Sequence, residues 1–142
     1  MVPETCEFCK IVEKENDASI VFEDDRTMAF LWTKAIAEGH TLVIPKVHYE
    51  NIYSVPDDEI AHLFKVVKRV AVAVKQGLNA DGINIGQNNG RAADQTIFHL
   101  HVHVLPRFEG QKLSDEIFEV SREKREETAD KIRTGFKSKL TS

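Results

Sequence analysis

The chain has 142 residues, 42% of them hydrophobic and 30% charged, which fits one globular domain with a single core and excludes long disorder or fibrous repeats. Nineteen Lys and Arg against 23 Asp and Glu leave a formal net charge of −4, so there is no cationic excess to neutralise a nucleic-acid backbone and no nucleic-acid partner is expected. No apolar run approaches the roughly 20 residues of a membrane span, and the N-terminal MVPETCEFCK has no apolar signal core; a soluble, cytoplasmic protein with no membrane contact is expected.

The two cysteines, Cys6 and Cys9, come first, spaced C-x-x-C. That spacing suits a redox pair or half of a zinc site, and two cysteines are too few for a secreted disulfide framework. Apolar runs at 19–23, 27–32 and 40–45 predict three strands, with Asp24-Asp25 as a hairpin turn and Glu38-Gly39 before the third run. Over 56–75 the period changes: Ile60, Leu63, Phe64, Val67, Val70, Ala71 and Val74 fall at helical spacing behind an acidic first turn of Asp57, Asp58 and Glu59. Ser54 or Asp57 is the expected cap and Gly77 the expected left-handed exit. Two more strands are predicted at 83–87 and 98–105, separated by the polar loop 88–95. The order β-β-β-α-β-β predicts an α+β fold, a mainly antiparallel five-stranded sheet with one long central helix.

Fifteen charged residues lie between Lys112 and Lys139. Leu113, Ile117 and Val120, then Ala129, Ile132 and Phe136, repeat at weak helical spacing, which predicts a C-terminal tail of one or two helices packed loosely on the domain. The expected division is a domain over 1–110 and a charged helical extension over 111–142. A solvated face is the default role of that extension; a dimer contact or a lid is the sharper one.

Alternation along a strand projects His99, His101 and His103 to one face, about 6.6 Å apart, while Leu100, Val102 and Val104 enter the core. A lone strand histidine is an ordinary half-buried residue, but three in register repel when charged and waste core volume when neutral. Two chemistries suit the row. H-x-H on a strand can ligate a catalytic zinc with one position open to water. Alternatively, a neutral imidazole attacks phosphorus while its neighbours hydrogen-bond the oxygens. The Asn- and Gly-rich loop just upstream, with Gln95 and Thr96, supplies amide and hydroxyl donors and favours the phosphate reading.

The run His99-Leu100-His101-Val102-His103-Val104-Leu105 resembles the histidine triad motif of the HIT superfamily of nucleotide hydrolases and transferases. Upstream, Phe22-Glu23-Asp24-Asp25-Arg26, Ala29-Phe30 and the run from Gly39 to Lys46 match its first sheet in order, and Asn88, Gly90, Gln95 and Thr96 match its phosphate loop. The likeness covers Cys6 to about Phe108. It implies a homodimer whose sheets join across subunits, with a purine nucleotide as the small-molecule partner. It also implies roles: His101 as the nucleophile at the α-phosphorus, forming a nucleotidyl-histidine that water hydrolyses; His103 on the phosphate; Asn88 and Gln95 orienting it; Thr96 near the leaving group; His40 lining the site. Phe8, Ile11, Phe30 and Leu42 match base-pocket positions. Cys6, Cys9, His48 and His99 resemble the zinc site of a bacterial and archaeal, Hint-like branch, a closed and therefore structural set; no organic cofactor is implied.

Two positions depart from the family. Trp32 stands where many members carry a ribose-binding acid or Asn, and Asp94 where many have Gly. The expected activity is hydrolysis of nucleoside 5′-monophosphate derivatives, adenosine phosphoramidates or mixed anhydrides first. Cleavage of dinucleoside polyphosphates, with Arg107 on a longer anion, is the enzymatic alternative. A non-catalytic nucleotide- or partner-binding module is the other.

Overall fold

The computed structural model describes residues 5–137; Met1 to Glu4 of the N-terminal stretch and Lys139 of the charged tail lie outside them. A short helix α1 (Glu7–Val12) leads into strands β1 (Ile20–Glu23), β2 (Thr27–Leu31), β3 (Lys34–Ala35) and β4 (Thr41–Pro45). The long helix α2 (Asp57–Leu78) follows, then β5 (Gly82–Gly86), a single 3-10 turn (Arg91–Ala93), β6 (Val102–Arg107), β7 (Phe118–Glu119) and α3 (Arg122–Gly135). The five long strands form one antiparallel sheet, ordered β1-β2-β4-β6-β5, and the fold is the α+β architecture expected from the sequence. Two-residue β3 and β7 pair separately; too short to show any periodicity, they have no signature in the sequence.

Alternation along the central strands assigns two cores. Ala29, Leu31, Val43, Val102 and Val104 face α2, where Leu63, Val66, Val67, Val70 and Val74 cover them. Met28, Phe30, Leu42 and Ile44 face the opposite way and are covered by Phe8 and Ile11 of α1. Every residue of β2 and β4 is therefore buried, as expected for strands covered on both faces.

Several boundaries move for identifiable reasons. Helix α2 starts from Pro56 without a side-chain cap, rather than from Ser54 or Asp57, and ends at Asn79 in the left-handed region (φ 55°) rather than at Gly77. Gly77 instead lets α3 come close: a Cβ there would overlap the Lys131 carbonyl, and one on Gly135 the Ala73 carbonyl. The tail is not loosely packed. Ala129 and Ile132 are fully buried in the main core, and the Arg133 guanidinium donates to the Ile20 carbonyl at 2.8 and 3.1 Å. Among the described residues the tail holds one α-helix; Leu113 and Ile117 lie before it in irregular chain, with Ile117 66% exposed.

Strand β6 also begins later than its hydrophobic alternation predicts, at Val102 rather than Phe98. Before it, the backbone is held by other partners: Leu100 N–H donates to Tyr49 O at 2.7 Å. His99 and His101 thus precede the ladder instead of belonging to it.

Candidate functional site

Antiparallel pairing of β4 with β6 (Val43 opposite Val102) brings the turn after β4 to the segment before β6. His48 and His99 meet there, and α1 brings the cysteines. Cys6 is the N-cap of α1 and its Sγ accepts from Cys9 N–H at 3.3 Å, so the C-x-x-C spacing turns both sulfurs to one end of the helix. The four donor atoms lie within 4.8 Å of one another. His99 Nδ1 is 3.4 Å from Cys6 Sγ, 3.5 Å from Cys9 Sγ and 3.2 Å from His48 Nδ1, and His48 Nδ1 is 3.4 Å from Cys9 Sγ. A tetrahedral ion with metal–sulfur and metal–nitrogen bonds of ~2.3 and ~2.0 Å sets donor separations of ~3.3–3.8 Å, so the set fits such an ion. The tautomer agrees: His99 Nε2–H donates to Pro45 O at 2.8 Å, leaving the Nδ1 lone pair facing the sulfurs. Burial pushes the Cys9 thiol up to about 12, reinforced by Cys6; a bound cation reverses that preference by stabilising the thiolate.

The remaining triad histidines turn to a second task. His101 Nδ1–H donates to the His99 carbonyl at 2.7 Å. Its Nε2 consequently carries a lone pair, and no described residue bonds it. The rings of His101 and His103 are 5.0 Å apart, and Phe8 stands edge-on to His101 at 5.2 Å. His40, entering from the turn before β4, completes the group with Nε2 2.9 Å from His103 Nδ1. Burial lowers all three histidines below the usual value, His40 to about 3 and His103 to about 4, so the group is neutral near pH 7. Neutrality matters because only an unprotonated imidazole is nucleophilic.

The loop after β5 leaves the sheet beside this group, since Gly86 pairs with His103. Gly90 (φ 92°) and Asp94 (φ 70°) both have positive φ, a region that Gly enters freely and that Asp tolerates. Gln95 needs reassignment. It is 3% exposed, its Oε1 accepts from Gly90 N–H (2.7 Å) and Asn51 Nδ2 (3.3 Å), and its Nε2 donates to Glu50 O (2.7 Å) and Ile97 O (3.0 Å). Both donors and both acceptor positions are used, leaving none for a phosphate; Gln95 locks the loop. Nothing in the sequence signalled Asn51 or Glu50 as its partners.

Asn88 is half-buried, and its side chain makes no hydrogen bond among the described residues. Thr96 is exposed and lines a cavity of about 330 Å³ with Cys6, Glu7, His48, Glu50 and Phe98, on the cysteine side; no hydrogen bond joins it to His101 or His103 among the described residues. Phe8, Ile11, Phe30 and Leu42 are 0–8% exposed and packed together. Trp32 borders them, edge-on to Phe8 at 5.4 Å, and lines a small cavity together with Val120, Lys124 and Arg125 from the tail. Arg107 donates to Asn84 Oδ1 at 2.6 Å. His62 lies away from the site and pairs with Asp24 at 2.9 Å.

Comparison with known proteins places the chain in a family. The HIT domain family model matches residues 13–110. An uncharacterized HIT-like protein of Methanocaldococcus jannaschii is 47% identical over 105 residues, 74% of this chain and 81% of that one. Adenylylsulfatase HINT3 of Arabidopsis thaliana is 38% identical over 104 residues, 73% of this chain and 53% of that protein. Among solved structures, a Hit-like protein from Bartonella henselae superposes with a TM-score of 0.88 at 37% identity, covering 95% of this chain and 99% of the other. A zinc-bound histidine triad family protein from Mycobacterium smegmatis gives 0.85 at 39% identity, covering 94% of each.

Proposed function

Because the chain belongs to the HIT domain family, we propose that it hydrolyses nucleoside 5′-monophosphate derivatives through a nucleotidyl-histidine on His101. The observation that carries this reading is the 2.7 Å bond from His101 Nδ1–H to His99 O, which leaves Nε2 as a neutral nucleophile. Nε2 attacks the α-phosphorus, a P–N bond forms, and the bond from phosphorus to the leaving group breaks. His103 hydrogen-bonds a phosphate oxygen, with Asn88 and Gly90 beside it. Water then cleaves the P–N bond, releasing the monophosphate and free His101. Thr96 is assigned to the leaving-group side. The cluster of Phe8, Ile11, Phe30, Trp32 and Leu42 receives the base, which requires a small outward movement of α1 because these side chains are packed together.

Zinc is the metal we assign to Cys6, Cys9, His48 and His99, and four protein ligands make its contribution structural. His99 joins the two halves of the site: its ring belongs to the metal set, while its carbonyl accepts the His101 proton. Residues 111–142 are assigned as an extension of the 1–110 domain, with Ala129 and Ile132 of α3 completing its core. The protein is proposed to act as a homodimer; β5 is an edge strand with Asn84, Ile85 and Gly86 exposed, available to another copy.

Purified protein incubated with a panel of adenylates tests the proposal. The panel includes an adenosine phosphoramidate, a dinucleoside polyphosphate and, because one relative is named an adenylylsulfatase, the phosphosulfate mixed anhydride. AMP release from the phosphoramidate or mixed anhydride, reduced at least ~10³-fold in His101→Ala, is expected. No AMP release from any of them refutes the reading.

A further inference from the structure

His40 is not needed to attack phosphorus and lies outside the triad motif, yet it is 4% exposed and reaches His103. Its own hydrogen bonds reveal which nitrogen of each ring carries the proton. Ile36 N–H points at His40 Nδ1 at 3.3 Å. A backbone N–H can only donate, so His40 Nδ1 carries a lone pair and the single proton of the neutral ring is on Nε2. That Nε2–H faces His103 Nδ1 at 2.9 Å, which must then be the acceptor. The one proton of neutral His103 is left on its Nε2, and no described residue accepts it.

We infer that His40 is a positioning residue that fixes the tautomer of His103, so that His103 presents an N–H, and not a lone pair, to the phosphate. The inference rests on the proposed nucleotide chemistry for its consequence but not for its geometry. A lone pair at that position would repel a phosphate oxygen, whereas an N–H donates a charge-assisted bond. His101 and His103 thus present opposite tautomers: Nδ1–H on the nucleophile, held by the His99 carbonyl, and Nε2–H on the donor, held by His40. Adjacent rings of the same residue type are assigned different chemistry by the groups behind them. Burial, which holds His40 at about 3 and His103 at about 4, keeps both rings in the single-proton state that this assignment needs.

The relay is anchored by the tail. The Ile36 peptide is held from both sides, its N–H by His40 and its carbonyl by Ser114 N–H at 3.0 Å. Just before it, β3 pairs with β7, Lys34 opposite Glu119 and Ala35 opposite Phe118. Val120 N–H also donates to Thr33 O at 3.1 Å. The C-terminal extension therefore sets the backbone that sets His40, which gives it a place in the site without touching a substrate.

The experiment uses full-length, metal-loaded protein labelled with ¹⁵N-histidine, with long-range proton–nitrogen correlation near neutral pH. His40 and His103 are expected to be protonated on Nε2 alone, and His101 on Nδ1 alone. A proton on His103 Nδ1, or on both of its nitrogens, overturns the inference. His40→Gln keeps a neutral donor at the end of the side chain; His103 should remain Nε2-protonated and kcat/KM should stay within about threefold. His40→Leu removes the donor; His103 should populate both tautomers, and kcat/KM on an adenylate should fall about tenfold to a hundredfold, the value of one charge-assisted hydrogen bond. An unchanged His103 tautomer in His40→Leu overturns the inference. If that variant does not fold, the parent spectrum and His40→Gln still decide it. Absence of turnover in the parent refutes the proposed function instead, and leaves the spectra to judge His40.

Discussion

Replacing Gln95 separates a residue that shapes the site from one that touches its ligand. The carboxamide is 3% exposed and makes four hydrogen bonds: Gly90 N–H and Asn51 Nδ2 donate to it, and it donates to Glu50 O and Ile97 O. Leu fills a similar volume but leaves the Gly90 N–H and two carbonyls without their partner. At about 1 kcal/mol for each half-buried backbone group, Gln95→Leu should lose ~2–4 kcal/mol of unfolding free energy, measured by urea titration. Gln95→Glu should do comparable damage, because its carboxylate keeps the Gly90 bond yet faces two carbonyl oxygens. Both variants should also bind AMP more weakly, since the loop carrying Asn88 and Gly90 is released. Stability within about 0.5 kcal/mol of the parent, together with a tenfold or greater loss of AMP affinity, would refute the loop-lock assignment and return Gln95 to the phosphate.

Three other perturbations have expected signs. Gly→Ala in an exposed helix stabilises by about 1 kcal/mol, but at Gly77 or Gly135 the new Cβ meets the Lys131 or Ala73 carbonyl, so each variant should lose about 1–3 kcal/mol and melt earlier. Cys9→Ser should lower metal content by elemental analysis and melting temperature together, and chelation of the parent should reproduce the loss of stability; freshly purified, reduced protein without zinc would contradict the assignment. The third concerns acid. His40 and His103 sit at about 3 and about 4 in the folded protein against a usual 6.5, so between those values the unfolded chain binds protons that the native state does not. Stability should therefore be flat above pH 6.5 and fall as pH drops toward 4, by up to about 1.4 kcal/mol per pH unit for the deeply buried His40 and less for His103. Denaturant titrations across that range should show a shallower slope for His40→Gln.

What the sequence made legible was whatever repeats over several residues or is chemically rare. The 3.6-residue period of α2 and the apolar runs of β2 and β4 record burial directly, and six histidines with a C-x-x-C pair stand out against an ordinary composition. Helix α1 escaped because six residues make fewer than two turns, so Phe8 and Ile11 are matched to base-pocket positions by the family likeness and not by any helical period. Gly77 has the same residue type whether it ends a helix or admits another against it; only the position of Lys131 in α3, more than fifty residues later, distinguishes these. Gln95 and His40 show the same limit in the site. Their partners, Glu50, Asn51 and the Ile36 amide, are mostly backbone or distant in the chain, and backbone donors leave no residue-specific trace. The family likeness located these side chains, but the direction of each hydrogen bond required the fold.

The most direct measurement of the central claim is a rapid-quench experiment with an adenylate labelled in the α-phosphate, followed by peptide mapping under alkaline conditions. Acid-labile label should appear on His101 within a single turnover and decay as AMP forms, and should be missing from His101→Ala. Release of AMP with no label on His101 at any time, or label on His99 or His103 instead, would contradict the account.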